Sequence, residues 1–131
     1  MDSLQDVRPH DISFTESQTV ETITVNDMIA AHGVPRYCKI DIEGVDLAVI
    51  ESLREPIEIV SFEHLPHQID ITEQALAALG QLADYRFNYF LRESHKFPSP
   101  SLLDAGELLR ALRGPKSHGG SSDVFAFRRK D

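Results

Sequence analysis

Residues 37–44 read Tyr-Cys-Lys-Ile-Asp-Ile-Glu-Gly, and the alternation in this stretch decides the fold. Cys38, Ile40 and Ile42 alternate with Lys39, Asp41 and Glu43, the period of two expected of a strand over Tyr37 to Ile42. The three charges are expected on one face and the apolar residues on the other. Gly44 breaks the strand. Apolar residues at 45, 48, 49 and 53 then follow helical spacing over Val45 to Leu53, and Pro56 ends that helix before a second strand, Ile57 to Phe62. A connection that contains a helix is too long for a hairpin. The two strands are therefore expected to be parallel, with a right-handed crossover, and to end at the same edge.

Upstream, β-branched residues suggest a short strand over Val20 to Thr24. Thr24 with Asp27 three residues on resembles a capping box opening a helix that stops at Gly33. Residues 1–18 are polar and without a period, and read as a tail or the remnant of a preceding segment; residues 19–131 read as one unit. Downstream, Glu63 to His67 reads as a polar loop, and Asp70 with Glu73 as the cap of a helix whose stripe is Ala75, Leu76, Leu79 and Ala83. Tyr85 to Leu91 alternates as a third strand. A Pro-rich loop at 97–100 leads to a helix over Leu102 to Arg113, and a Gly/Ser loop precedes a last strand, Val124 to Phe127. Alternating strands and helices predict an α/β fold with a mostly parallel sheet and an antiparallel last strand.

The composition limits the function classes. The 131 residues carry 13 Lys and Arg against 21 Asp and Glu, a net charge of −8, and this opposes nucleic acid or an anionic membrane surface as partner. Cys38 is the sole cysteine, so no intrachain disulfide and no cysteine cluster for zinc can form. A reducing, cytoplasmic setting is the expectation, with no targeting signal and no apolar run long enough to span a membrane.

In open α/β sheets ligands bind beyond the carboxyl ends of the strands. Here those ends carry Asp41, Glu43 and Gly44 after one strand, and Glu63 and His64 after the next. Spacing alone leaves two readings: a ligand site, or an edge strand whose charges face water with Lys39 paired to an acid. His64 and His67 lie beside Glu63, but Pro66 separates them and no helix aligns the imidazoles, so no metal site is expected. Tyr85, Phe87 and Tyr89 read as core, and Cys38 as an inert buried thiol.

The run Lys39-Ile40-Asp41-Ile42-Glu43-Gly44, with Asp46 and Leu47, resembles the K-x-D-x-E-G signature of the FkbM family of S-adenosylmethionine-dependent methyltransferases. Thr24 to Ile29 resembles that family's T-L-D-D-L helix start. Val60-Ser61-Phe62-Glu63 resembles its next strand, and Ser121 to Ala126 its S-G-D-V-Y-A close. The resemblance covers roughly residues 19–128. It implies a Rossmann-like class I methyltransferase sheet in which Tyr37 to Ile42 is the fourth strand and Asp41 looks toward the methyl end of the cofactor. The sequence holds no Gly-rich turn after a first strand and no acidic residue ending a second. Three N-terminal strands are therefore expected to be missing, with the chain as the C-terminal half of the domain, weak or inactive alone.

The activity so implied is O-methyl transfer from S-adenosylmethionine to a small-molecule hydroxyl acceptor of sugar, lipid-head or polyketide type. Asp41, Glu43 and Glu63 are the expected catalytic carboxylates, with Lys39 orienting Asp41. Asp41, Ile42 and Gly44 are expected at the cofactor, and His64 and His67 at the acceptor. Two rivals belong to other classes. One is a noncatalytic module, or a homo-oligomer, joined through an exposed strand edge. The other is a metal-dependent hydrolase built on Asp41, Glu43, Glu63 and His64.

Overall fold

The computed structural model describes residues 17–42, 44–91, 96–114 and 121–130. Helix α1 (Val25–His32) opens on the expected capping box. Thr24 Oγ1 accepts from the Asp27 amide at 3.0 Å, and the Asp27 carboxylate accepts from the Thr24 amide at 3.3 Å. Gly33, with φ of 91°, closes it. The strand expected over Val20 to Thr24 does not form. No strand pairs with it among the described residues, and Val20 and Ile23 are exposed, so local β-propensity goes unsupported.

Strand β1 (Tyr37–Lys39) is shorter than its alternation suggests, although the Ile40 amide still donates to Ser61 O at 2.8 Å. The chain then turns. The Ile42 amide donates to Asp46 Oδ1 and its carbonyl accepts from Val45, which leaves the Ile42 side chain 51% exposed, not on the apolar face. Helix α2 (Asp46–Ser52) follows, then β2 (Ile59–His64), parallel to β1 with Tyr37 opposite Ile59 and Lys39 opposite Ser61. Glu63 and His64 thus belong to the strand, not to a loop, because pairing with a later strand carries the ladder to His64.

After a 3-10 turn at Pro66–Gln68 comes α3 (Ile69–Leu82). Its N-cap is Gln68, which makes no side-chain cap, so the expected Asp70 cap is absent; Asp70 lies within the first turn. Strand β3 (Tyr85–Leu91) matches its expected limits. Helix α4 (Ala105–Arg113) starts later than Leu102 because a capping box between Asp104 and Glu107 fixes its first turn. Leu103 instead bridges to Phe87. Strand β4 (Ser122–Arg128) extends past both expected ends.

The sheet order is β1-β2-β4-β3. The antiparallel last strand is as expected. Lying between β2 and β3, it makes both of its pairings antiparallel, so the sheet is mixed even though β1, β2 and β3 run one way. Val60, Phe62, Val124, Ala126, Tyr85 and Phe87 form the buried face, joined by Ile50, Leu76, Leu79, Leu108 and Leu112 from α2, α3 and α4. Tyr85 clamps this core to β2. Its hydroxyl donates to the Ile57 carbonyl and accepts from the Ile57 amide, and burial pushes the phenol up from its ordinary value. Cys38 is half-buried, and burial raises its thiol, the environment of an unreactive cysteine. No described helix is long and apolar enough to cross a membrane.

Candidate functional site

Strand alternation sends every second residue to the face away from the apolar cluster. On that face Glu63 of β2, Asp123 of β4 and Phe90 of β3 fall in one row, because Glu63 opposes Asp123 and Asp123 opposes Phe90. The row lies at the carboxyl end of β2, beside the residues that follow β1. A cleft of about 380 Å³ opens there, lined by Lys39, Asp41, Ser61, Glu63, Phe90 and Asp123. Ser61 is buried and shares a hydrogen bond of 2.7 Å with the Tyr37 hydroxyl. Phe90 stacks on Phe125 with ring centroids 5.3 Å apart, which ties this wall to the rest of the sheet.

A second cleft, of about 540 Å³, lies where β1 and β2 give way to α2 and α3, and Asp41, Gly44, Asp46, Leu47, Glu63 and Gln68 are among its lining residues. Asp41 and Glu63 border both clefts. Asp46 fixes this boundary. Its carboxylate takes the Ile42 amide at 3.1 Å and a backbone hydrogen bond from Glu63, so one side chain ties the end of β1 to the end of β2. Burial pushes the Asp46 carboxyl up, and the negative charge of Asp41 adds to the rise, against the downward pull of those two backbone hydrogen bonds. Gly44 holds the turn at φ of 83°, a conformation that a β-carbon disfavours.

The expected site residues separate into groups. Lys39, Asp41 and Glu63 come together at the first cleft, and Gly44 joins Asp41 and Glu63 at the second. Lys39 makes no ion pair with Asp41, so it does not orient that carboxylate by a direct contact. Glu43 lies outside the described residues. Ile42 lines neither cleft, and His67 is exposed on the 3-10 turn.

His64 is displaced from its expected role at the acceptor. One residue beyond Glu63 on a strand, it faces the opposite side, where it is 1% exposed and its Nδ1 pairs with Thr72 Oγ1 at 2.6 Å. Its Nε2 and Ser122 Oγ, on directly opposed residues, are buried without a hydrogen-bond partner. Desolvation lowers the imidazole below its ordinary value. Among the described residues no group of three or more His, Cys, Asp or Glu is arranged to hold a metal ion.

Sequence reading missed Asp123, Ser61 and Phe90 as cleft residues and Asp46 as their brace. Asp123 lay within the Ser121 to Ala126 run, but its place opposite Glu63 is a product of sheet order. The four-residue step from Ile42 to Asp46, a side chain reaching back across a Gly turn, was the available signal for the brace.

A family model for the methyltransferase FkbM domain matches residues 3–108 of the 131-residue chain. The chain belongs to that family, and its fold, an α/β arrangement on a four-stranded mixed sheet, is consistent with a methyltransferase domain. No curated protein and no solved structure matches it.

Proposed function

We propose that this chain serves S-adenosylmethionine-dependent O-methyl transfer to a small-molecule hydroxyl acceptor of sugar, lipid-head or polyketide type. The observation that carries this reading is the position of Asp41 and Glu63, which border both strand-end clefts at once. Methyl transfer needs two ligands meeting at one boundary, and a carboxylate there can serve both.

The residues present suit the sulfonium end of the donor. Among the described residues, the lining of the first cleft brings the carboxylates of Asp41, Glu63 and Asp123 together with Lys39 and the ring of Phe90, groups that can receive a positive charge. When bound, the donor supplies a methyl group on a positively charged sulfur. Asp41 and Glu63 hold that charge, and the carboxylate nearer the acceptor takes its hydroxyl proton. A positioned base of this kind contributes about 10²–10⁴-fold. Charge stabilisation of the ground state does not by itself raise the rate, so turnover depends on the base role. Glu43 is assigned to the same carboxylate set by its place in the family signature.

These carboxylates recognise the donor by its sulfonium charge. Calorimetric titration tests this directly. The chain is expected to bind S-adenosylmethionine more tightly than the uncharged product S-adenosylhomocysteine, and Asp41→Asn and Glu63→Gln are each expected to shrink that preference. Equal affinity for the two compounds in the unsubstituted chain would sink the reading. The hydrolase alternative loses its imidazole, because His64 is buried on the far face of β2.

A further inference from the structure

The end of β1, the end of β2 and the start of α2 meet at Asp46. Its Oδ1 accepts the Ile42 amide at 3.1 Å, and the same carboxylate accepts a backbone hydrogen bond from Glu63, so two strand ends hang on one side chain. The turn between β1 and α2 has its own closure. The Val45 amide donates to the Ile42 carbonyl at 3.1 Å, and Gly44 passes through φ of 83°. Asp41 stands one residue before the first tie, and Glu63 carries the second. These are the carboxylates that border both clefts.

We infer that Asp46 is a positioning residue for both clefts: charged, it latches the two strand ends and so sets Asp41 and Glu63, and on taking up a proton it loosens them. Hydrogen bonds to a charged acceptor are about twice as strong as those to a neutral one, so a single proton on Asp46 weakens both ties. The surroundings bring that proton closer. The second cleft is lined by Asp46 together with Asp41 from the end of β1, Glu63 from β2 and Glu51 from α2, while the 3-10 turn and α3 add Gln68 and Ile71, which do not titrate. Burial and then the Asp41 charge raise the Asp46 carboxyl above its ordinary value, against the pull of its two backbone bonds. A cation received by Asp41 offsets the charge effect. Asp46 then ionises, the latch tightens, and a proton leaves as the ligand arrives. The latch stands on the backbone geometry; its link to a cationic donor rests on the methyl-transfer reading.

Nuclear magnetic resonance of the full chain tests the latch without a ligand. As pH falls, the Ile42 and Glu63 amide protons are expected to move upfield together, with one midpoint that the Asp46 carboxyl carbon shares and that lies above the ordinary aspartate value. In Asp46→Asn, which keeps an acceptor oxygen, that shared transition is expected to vanish. Amides that instead follow the Asp41 or Glu63 carboxyl carbon, or that move unchanged in Asp46→Asn, overturn the latch. The shared midpoint in the unsubstituted chain decides the matter even if the variant fails to fold. Calorimetry of S-adenosylmethionine in buffers of different ionisation enthalpy reads the link. Across the same pH range, binding is expected to release protons and affinity to rise with pH, and Asp46→Asn is expected to lose that release. A preference for S-adenosylmethionine over S-adenosylhomocysteine with no Asp46-dependent release overturns the link and leaves the methyl-transfer reading standing. Equal affinity for the two compounds takes the link down with that reading, while the amide titration still decides the latch.

Discussion

Glu63 and Asp123 oppose each other directly across the β2–β4 pair, on the face of the sheet that lines the first cleft. Two carboxylates so placed can both reach a cationic ligand in that cleft. Replacing either with its amide, Glu63→Gln or Asp123→Asn, is expected to weaken S-adenosylmethionine by about fivefold or less while leaving S-adenosylhomocysteine unchanged. That is the range for one partly exposed charge interaction of about 0.2–1 kcal/mol. Calorimetry of both compounds against each variant makes the comparison.

Tyr85→Phe removes a buried hydroxyl that serves both backbone groups of Ile57. The Ile57 amide is then left buried without that acceptor, at a cost of about 1–3 kcal/mol. Chemical denaturation is expected to show the midpoint falling with little change in slope, since the surface exposed on unfolding is the same.

His64 makes stability depend on pH in a set direction. Its folded value lies below the ordinary 6.5, so the fold excludes a proton that the unfolded chain accepts. The contribution is complete above the unfolded value and is lost as pH falls from there toward the folded one. Thermal melts between pH 7.5 and 5 are expected to show a falling midpoint. His64→Gln flattens that limb while retaining a group able to hydrogen-bond Thr72.

Gly44→Ala puts a β-carbon on a residue at φ of 83° although the space around it is open. The expected loss is therefore one of backbone strain, about 1–2 kcal/mol. Because the same turn sets Asp46 against Ile42, donor affinity falls with it. A melt and a titration on one preparation separate the two effects.

What was legible in the sequence had local causes. Tyr85 to Leu91 could be bounded because Tyr85, Phe87, Tyr89 and Leu91 alternate with Arg86 and Asn88, and α1 because Thr24 and Asp27 cap each other. Asp41 and Glu63 could be placed at strand ends because Gly44 and Pro66 interrupt the pattern beside them. The misreadings came from distance. Glu63 and His64 lack strand character of their own and are held by β4, roughly sixty residues away in the chain. Val20 to Thr24 has the character and no partner strand among the described residues. His64 was assigned to the acceptor as a loop residue, and one step of strand turned it to the interior. Asp123 acquires its meaning from the register, which no local pattern contains.

The central position of β4 also sets the order in which the molecule can come into being. Ser122–Arg128 fills the gap between β2 and β3, so those two strands belong to no common sheet until it arrives. During synthesis β3 therefore leaves the ribosome as a strand without a sheet, and Glu63 and Phe90 wait on separate pieces for the residue that joins them. Such late, long-range closure is slow. The binding row is completed by the same event that completes the fold, and a nascent chain still short of β4 lacks the Asp123 wall of the first cleft.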